Sequence, residues 1–276
     1  MGPFRVAFKG VHMSTTTFFG LAVGIILFVG SIMMSTDNVI IFISIPSLIL
    51  VFGGTLANGF MSYQGPYVIK ALKSTLAIFS HAKTNETILV GEAERVVQWS
   101  RIVSTQGQVA LEQHIKAKGN DALLSYGIQL VADGIDPECV RDLLTNRVET
   151  SHDREMRQVD ILRNMAATAP AFGMIGTLVG LVIMLDGLTD ASTLGSGLAV
   201  AMLTTLYGVL VARFIFQPAA DKTQQREEVA RFRNMLMMEG FVMLSEGRTT
   251  SFIQQRIASF LPPEIAVSWD AKRVSA

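Results

Sequence analysis

The stretch Ala169-Pro170-Ala171-Phe172-Gly173-Met174-Ile175-Gly176-Thr177-Leu178-Val179-Gly180-Leu181 decides how this chain is read, because it carries no charge and continues apolar to Leu185. From Asn164 to Leu185 it is long enough, at ~1.5 Å rise per helical residue, to cross the ~30 Å hydrocarbon core of a bilayer. It reads as a membrane span. Yet Gly173, Gly176, Thr177, Gly180 and Met184 recur at helical spacing and leave backbone bare along one side, a pattern suited to close helix contact rather than to lipid.

Working outward, the sequence holds three further apolar runs, about Phe18 to Met34, Val39 to Met61 and Gly197 to Phe216. The 276 residues are 50% hydrophobic with mean hydropathy +0.40, high for a water-soluble domain. The net charge is zero, but Lys and Arg are absent from Gly10 through Ile69 and from Asn164 through Ala212. Cations flank one end of each run: Arg5 and Lys9, Lys70 and Lys73, Arg157 and Arg163, then Arg213, Lys222 and Arg226. The positive-inside rule puts both termini and the long middle segment in the cytoplasm. The lone cysteine, Cys139, fits a reducing compartment and excludes a disulfide framework.

The expected architecture is an all-α membrane protein of four transmembrane helices in two hairpins, with a helical cytoplasmic domain inserted between the second and third spans. Its parts are an amino-terminal segment (1–17), a first hairpin (18–61), a cytoplasmic domain (62–163), a second hairpin (164–217) and a carboxyl-terminal helix and tail (218–276). In the middle segment, Glu92 to Trp99 and Leu123-Leu124-Ile128-Val131 place apolar residues at three- and four-residue steps, and Asp136-Pro137-Glu138 starts a helix expected to run to Asp160, ahead of the third span. Its apolar faces read as too small for an independent core. The segment Asp221 to Leu244 continues the fourth span as a charged helix broken at Pro218.

Enzyme chemistry finds no support. His12, His81, His114 and His152 are scattered without ligand-spaced partners, and neither a phosphate-cradling loop nor a nucleophile elbow is present. Cations mixed with as many carboxylates argue against nucleic-acid binding. The membrane hydroxyls say more: Thr177 in the third run and Thr204-Thr205 in the fourth lie at similar depth, where oxygen dipoles could ligate a dehydrating cation or simply bond back to a carbonyl one turn earlier. No Asp or Glu lies within any of the four runs. A cation path normally uses an intramembrane ionisable group, so if this chain lines one, the carboxylate comes from another polypeptide.

Taken together, these residues resemble the A-subunit of bacterial flagellar stators, the MotA/PomA family, and look closest to the sodium-type PomA branch. The resemblance is densest from Ser125 to Lys222, through Asp133-Gly134-Ile135-Asp136, Ala169-Pro170-Ala171, Gly173 to Leu181, Ala199-Val200-Ala201, Leu203 to Gly208 and Pro218-Ala219-Ala220-Asp221-Lys222. Met13 falls at the family's usual start. The resemblance implies a pentameric ring of A-subunits around two B-subunits of the MotB/PomB type, whose helix supplies the ion-binding aspartate. It also implies a rotor partner of the FliG type, and no cofactor beyond the transported cation, Na+ or H+.

Carried over residue by residue, it makes Pro170 and Pro218 coupling positions, and Thr177, Thr204 and Thr205 ion-path hydroxyls. Gly173, Gly176, Gly180, Ala201 and Gly208 would pack against the partner helix, and Glu112 and Arg101 would meet the rotor. Ser104 stands where the family has arginine, and Ala167 where PomA-type chains have an acid. The nearest rival is an ExbB/TolQ-type subunit, which normally has three spans; a passive scaffold whose small residues only pack helices is the other.

Overall fold

A computed structural model describes residues 15–77, 85–111, 121–187 and 191–261. Among them every regular element is helical. The chain divides into two units, residues 1–81 with 156–225 and residues 82–155 with 226–276.

The first unit holds the apolar runs. Helix α1 (Thr15–Ser35) corresponds to the first, with Ile26, Leu27 and Met33 more than 60% exposed. Such exposure along a whole helix is untenable in water and ordinary in lipid. Three helical stretches are long and apolar enough to cross a membrane, Val39–Ser62, Pro137–Asp186 and Leu194–Ser245; Phe19–Ser35 is a shorter apolar helix.

The second run is not one uniform helix. A 3₁₀ turn (Val39–Phe42) gives way to extended backbone at Ile43 and Ser44, and helix resumes as α2 (Ile45–Leu48), a π turn (Ile49–Gly53) and α3 (Gly54–Ser62). Pro46 in the first turn of α2 explains the restart, since proline lacks the N–H that a helix start leaves unused. Helix α4 (Gly65–Ala77) comes next. Val51, Val68, Ala71, Ile161, Leu162, Met165, Ala169, Val211 and Phe216 are all buried in this unit's core.

Two expectations about helix ends are corrected. The third span is not preceded by a separate helix: one 50-residue helix (Pro137–Asp186) runs without interruption through Pro170. Nor does Pro218 break the fourth span from the charged segment beyond it, because the helix Ala191–Leu210 passes through a π turn (Val211–Phe216) into the helix Gln217–Ser245. The wider turn shifts the hydrogen-bond register just ahead of the proline. That accommodates the missing N–H and the ring's clash with the carbonyl one turn back.

The second unit has a core that the middle segment does not complete by itself. Helices Asn85–Gln106 and Ala122–Ala132, the start of the 50-residue helix, the end of Gln217–Ser245 and the helix Thr250–Ala258 enclose Val96, Trp99, Leu124, Ile128, Leu144, Leu236, Phe241, Ile253 and Ile257. The missing apolar face is supplied by the carboxyl-terminal segment. Trp99 stacks on Phe241 at 5.4 Å between ring centroids, and a Cβ on Gly127 would stand 2.4 Å from the Phe241 ring.

Two ion clusters tie the same helices together. Arg233 lies 2.8 Å from Glu92 and 2.6 Å from Asp121, whose carboxylate also caps Ala122–Ala132 by accepting the Leu123 and Leu124 N–H groups. Glu239 accepts from Arg141 at 2.8 Å and from Arg256 at 3.2 Å. Burial raises the pKa of both acids, but their arginine partners outweigh it and hold Asp121 and Glu239 below ordinary carboxylate values.

A depressed folded-state pKa adds stability that is present above the unfolded value and is lost as pH falls through the folded one. Thermal melts of the full chain are therefore expected to hold steady from neutrality down to the ordinary carboxylate values of 3.8 and 4.5 and to drop below them. A melting temperature that stays flat below those values would show that these pairs contribute nothing.

Candidate functional site

The hairpin formed by the third and fourth apolar runs brings together most of the residues singled out from the sequence. Its two helices touch at backbone distance. A Cβ on Gly173 would stand 2.9 Å from the Thr204 carbonyl oxygen, and one on Gly180 would stand 2.6 Å from both the Ala201 nitrogen and the Gly197 oxygen. A Cβ on Gly208 would meet the Ala169 oxygen at 2.7 Å and Pro170 Cα at 3.1 Å. Only glycine permits this approach.

This changes what the small-residue stripe does. Gly173, Gly176, Gly180, Ala201 and Gly208, expected to pack against a partner's helix, are consumed by contacts within their own hairpin. Two glycine faces on consecutive antiparallel helices satisfy each other first, since the connecting loop holds them at high effective concentration. Periodicity alone cannot say which helix a bare face meets.

The hydroxyls separate into two kinds. Thr204 is fully buried, its Oγ1 donates to the Val200 and Ala201 carbonyls at 2.9 Å each, and a Cβ on Gly176 would stand 2.4 Å from the Thr204 Cβ. Expected on an ion path, it instead fills the seam where Gly176 leaves room. Thr177 is half-buried and donates to the Met174 carbonyl at 2.6 Å, a bond back to its own helix. Thr205, also half-buried, reaches across the hairpin towards the Gly173 carbonyl at 3.5 Å, the long limit of a hydrogen bond.

Sequence reasoning missed Tyr207. Its hydroxyl accepts the Ser44 N–H at 3.0 Å and donates to the Phe42 carbonyl, satisfying the backbone where the second run is broken. In hydrocarbon an unpaired backbone group costs several kcal/mol, so this side chain makes the break tolerable. Ser44-Ile45-Pro46 was the available signal, a helix-start pattern inside an apolar run. Equally unforeseen is the polar link of Asn58 Nδ2 to Asn164 Oδ1 at 3.2 Å and to Thr168 Oγ1 at 3.5 Å, just ahead of Pro170.

Arg101 is exposed on Asn85–Gln106. Glu112, its expected companion at the rotor, lies outside the described residues.

Residues 115–234 match the model of the MotA/TolQ/ExbB proton channel family. Motility protein A of Treponema phagedenis is 32% identical over 247 residues, covering 90% of this chain and 92% of that protein. The chain belongs to the MotA/PomA family. The chemotaxis protein PomA of Vibrio alginolyticus is 29% identical over 249 residues, covering 90% of this chain and 96% of that protein. Identity thus does not by itself favour the PomA branch. The same fold is seen in the structure of C. jejuni MotAB, with TM-score 0.80 at 18% identity over 91% of this chain and 97% of that one. Members of this family are channel-type stator subunits of the bacterial inner membrane and not enzymes.

Proposed function

We propose that this chain is the A-subunit of a sodium-driven flagellar stator. It spans the inner membrane four times with both termini in the cytoplasm, and forms a pentamer around two MotB/PomB-type B-subunits whose aspartate completes the ion path. The observation that carries the reading is a mismatch. Two half-buried hydroxyls, on Thr177 and Thr205, each donate to a carbonyl and so retain acceptor lone pairs, yet no carboxylate lies in any apolar run. A proton needs only a carboxylate and a water chain, whereas sodium needs several oxygens to replace its hydration shell. The existence of solved MotAB complexes with this fold supports the partner.

In this mechanism the ion is held between the partner's aspartate and the two threonines while Thr204 and the glycines keep the hairpin rigid. Movement of the partner against the hairpin is passed through Pro170 and Pro218, where a missing hydrogen bond softens each helix. Arg101 and Glu112 then bear on a FliG-type rotor protein.

Thr205→Ala removes one oxygen from this shell. Torque is expected to need roughly tenfold more sodium to reach half its maximum, the effect of losing one bond to a charged group. Swimming speed measured against sodium concentration, with and without a protonophore, checks this. Motility that persists in sodium-free medium and collapses with the protonophore would instead assign proton coupling.

A further inference from the structure

The second unit contains a cleft of about 630 Å³ between the early part of Pro137–Asp186, the start of Ala122–Ala132 and the Arg233 region of Gln217–Ser245. Its volume lies within the range of small-molecule sites, about 300–1,000 Å³. Three guanidiniums line it, and they are not equivalent. Arg233 is neutralised by Glu92 and Asp121, and Asp121 is itself held by that arginine and two backbone N–H groups. Arg147 and Arg154 have no carboxylate within ion-pair distance among the described residues.

These two are seven residues apart, two turns along one helix, or about 10 Å of axial rise. Between them Thr150 and Ser151 bring hydroxyl donors, and Asn146 and Asn234 bring amides. The Arg147 guanidinium is steadied over the Tyr126 ring at 4.7 Å, so its planar fork is partly pre-organised. Leu123 and Val148, both buried, add apolar lining.

Two arginines without a carboxylate partner among the described residues, and two hydroxyls lining the same concave, partly apolar wall, match a group with several acceptor oxygens and at least two negative charges. We propose that this cleft binds a small phosphate-bearing anion. Such binding is independent of ion coupling, since no lining residue belongs to an apolar run.

The test uses the full chain purified with its membrane partner in nanodiscs of zwitterionic lipid, so that no anionic headgroup competes. Inorganic pyrophosphate is titrated by calorimetry at low salt. Saturable binding is expected, weakened at least about tenfold by the Arg147→Ala/Arg154→Ala double variant, the effect of losing two charge-assisted contacts. The variant's melting temperature should fall only slightly, because neither side chain holds an ion pair among the described residues and the Arg147 contact with the Tyr126 ring contributes no more than about 1 kcal/mol. Lysine at both positions should restore part of the affinity. Absence of saturable binding, or equal affinity in wild type and double variant, would overturn the proposal. So would loss of the homo-oligomer in the double variant with pyrophosphate affinity intact, which would assign the cleft to subunit contact.

Discussion

Replacing Gly180 by valine should abolish the assembled complex rather than merely slow it. The new Cβ would stand 2.6 Å from the Ala201 nitrogen and the Gly197 oxygen and 2.8 Å from the Ala201 Cβ. Two of those atoms are backbone and cannot rotate away, so the helices must separate. Separation also removes the neighbouring seats, where Thr204 fills the space at Gly176 and Gly208 meets Ala169 and Pro170. Overpacking a tight site costs about 1–3 kcal/mol when side chains can adjust, and more where they cannot. Membrane-inserted chain recovered after detergent extraction, compared with wild type, reads the effect. A Gly180→Val chain that stays folded and fails only to bind its partner would return the glycine stripe to the partner interface.

The second large effect is expected in the other unit. Arg233→Ala should lower stability by about 3 kcal/mol, because removing one member of a buried ion cluster leaves the others desolvated without compensation. The Arg233 side chain is 18% exposed and its partners Glu92 and Asp121 are 10% and 31% exposed, so the site is only partly screened. Glu92 retains Arg95 at 2.9 Å, but that arginine is 46% exposed and cannot replace the lost pair. The control is Arg231→Ala: its pair with Glu149 has side chains 41% and 39% exposed and should be worth less than about 1 kcal/mol. Thermal melts of the two variants compare them directly. Equal shifts would mean that burial does not decide the strength of these pairs.

Much of this is legible in the residues. Charge-free runs place the apolar helices, Asp136-Pro137 places the start of the 50-residue helix, and the steps in Leu123-Leu124-Ile128-Val131 mark side chains that are indeed buried. The features that stay hidden share a physical cause. A bare glycine face shows that something approaches, not what, so the hairpin's self-contact looks from sequence like a partner's. A proline removes one hydrogen bond, but a π turn upstream can absorb the loss, so Pro218 looks like a break where the helix continues. The core of the second unit is underestimated from the middle segment alone because more than a third of it lies more than 80 residues downstream, Leu236, Phe241, Ile253 and Ile257 among it. Tyr207 is invisible because its value depends on a backbone break in another helix.

At the centre of this reading, the chain supplies oxygen ligands to a path whose carboxylate belongs to another polypeptide. The most direct test is sodium flux into liposomes containing the chain and a B-subunit, with the partner's intramembrane aspartate intact or replaced by asparagine. Sodium uptake is predicted with the intact partner and none with the asparagine variant, with an undiminished complex in both. Uptake that survives the replacement, or that occurs with this chain alone, would contradict it.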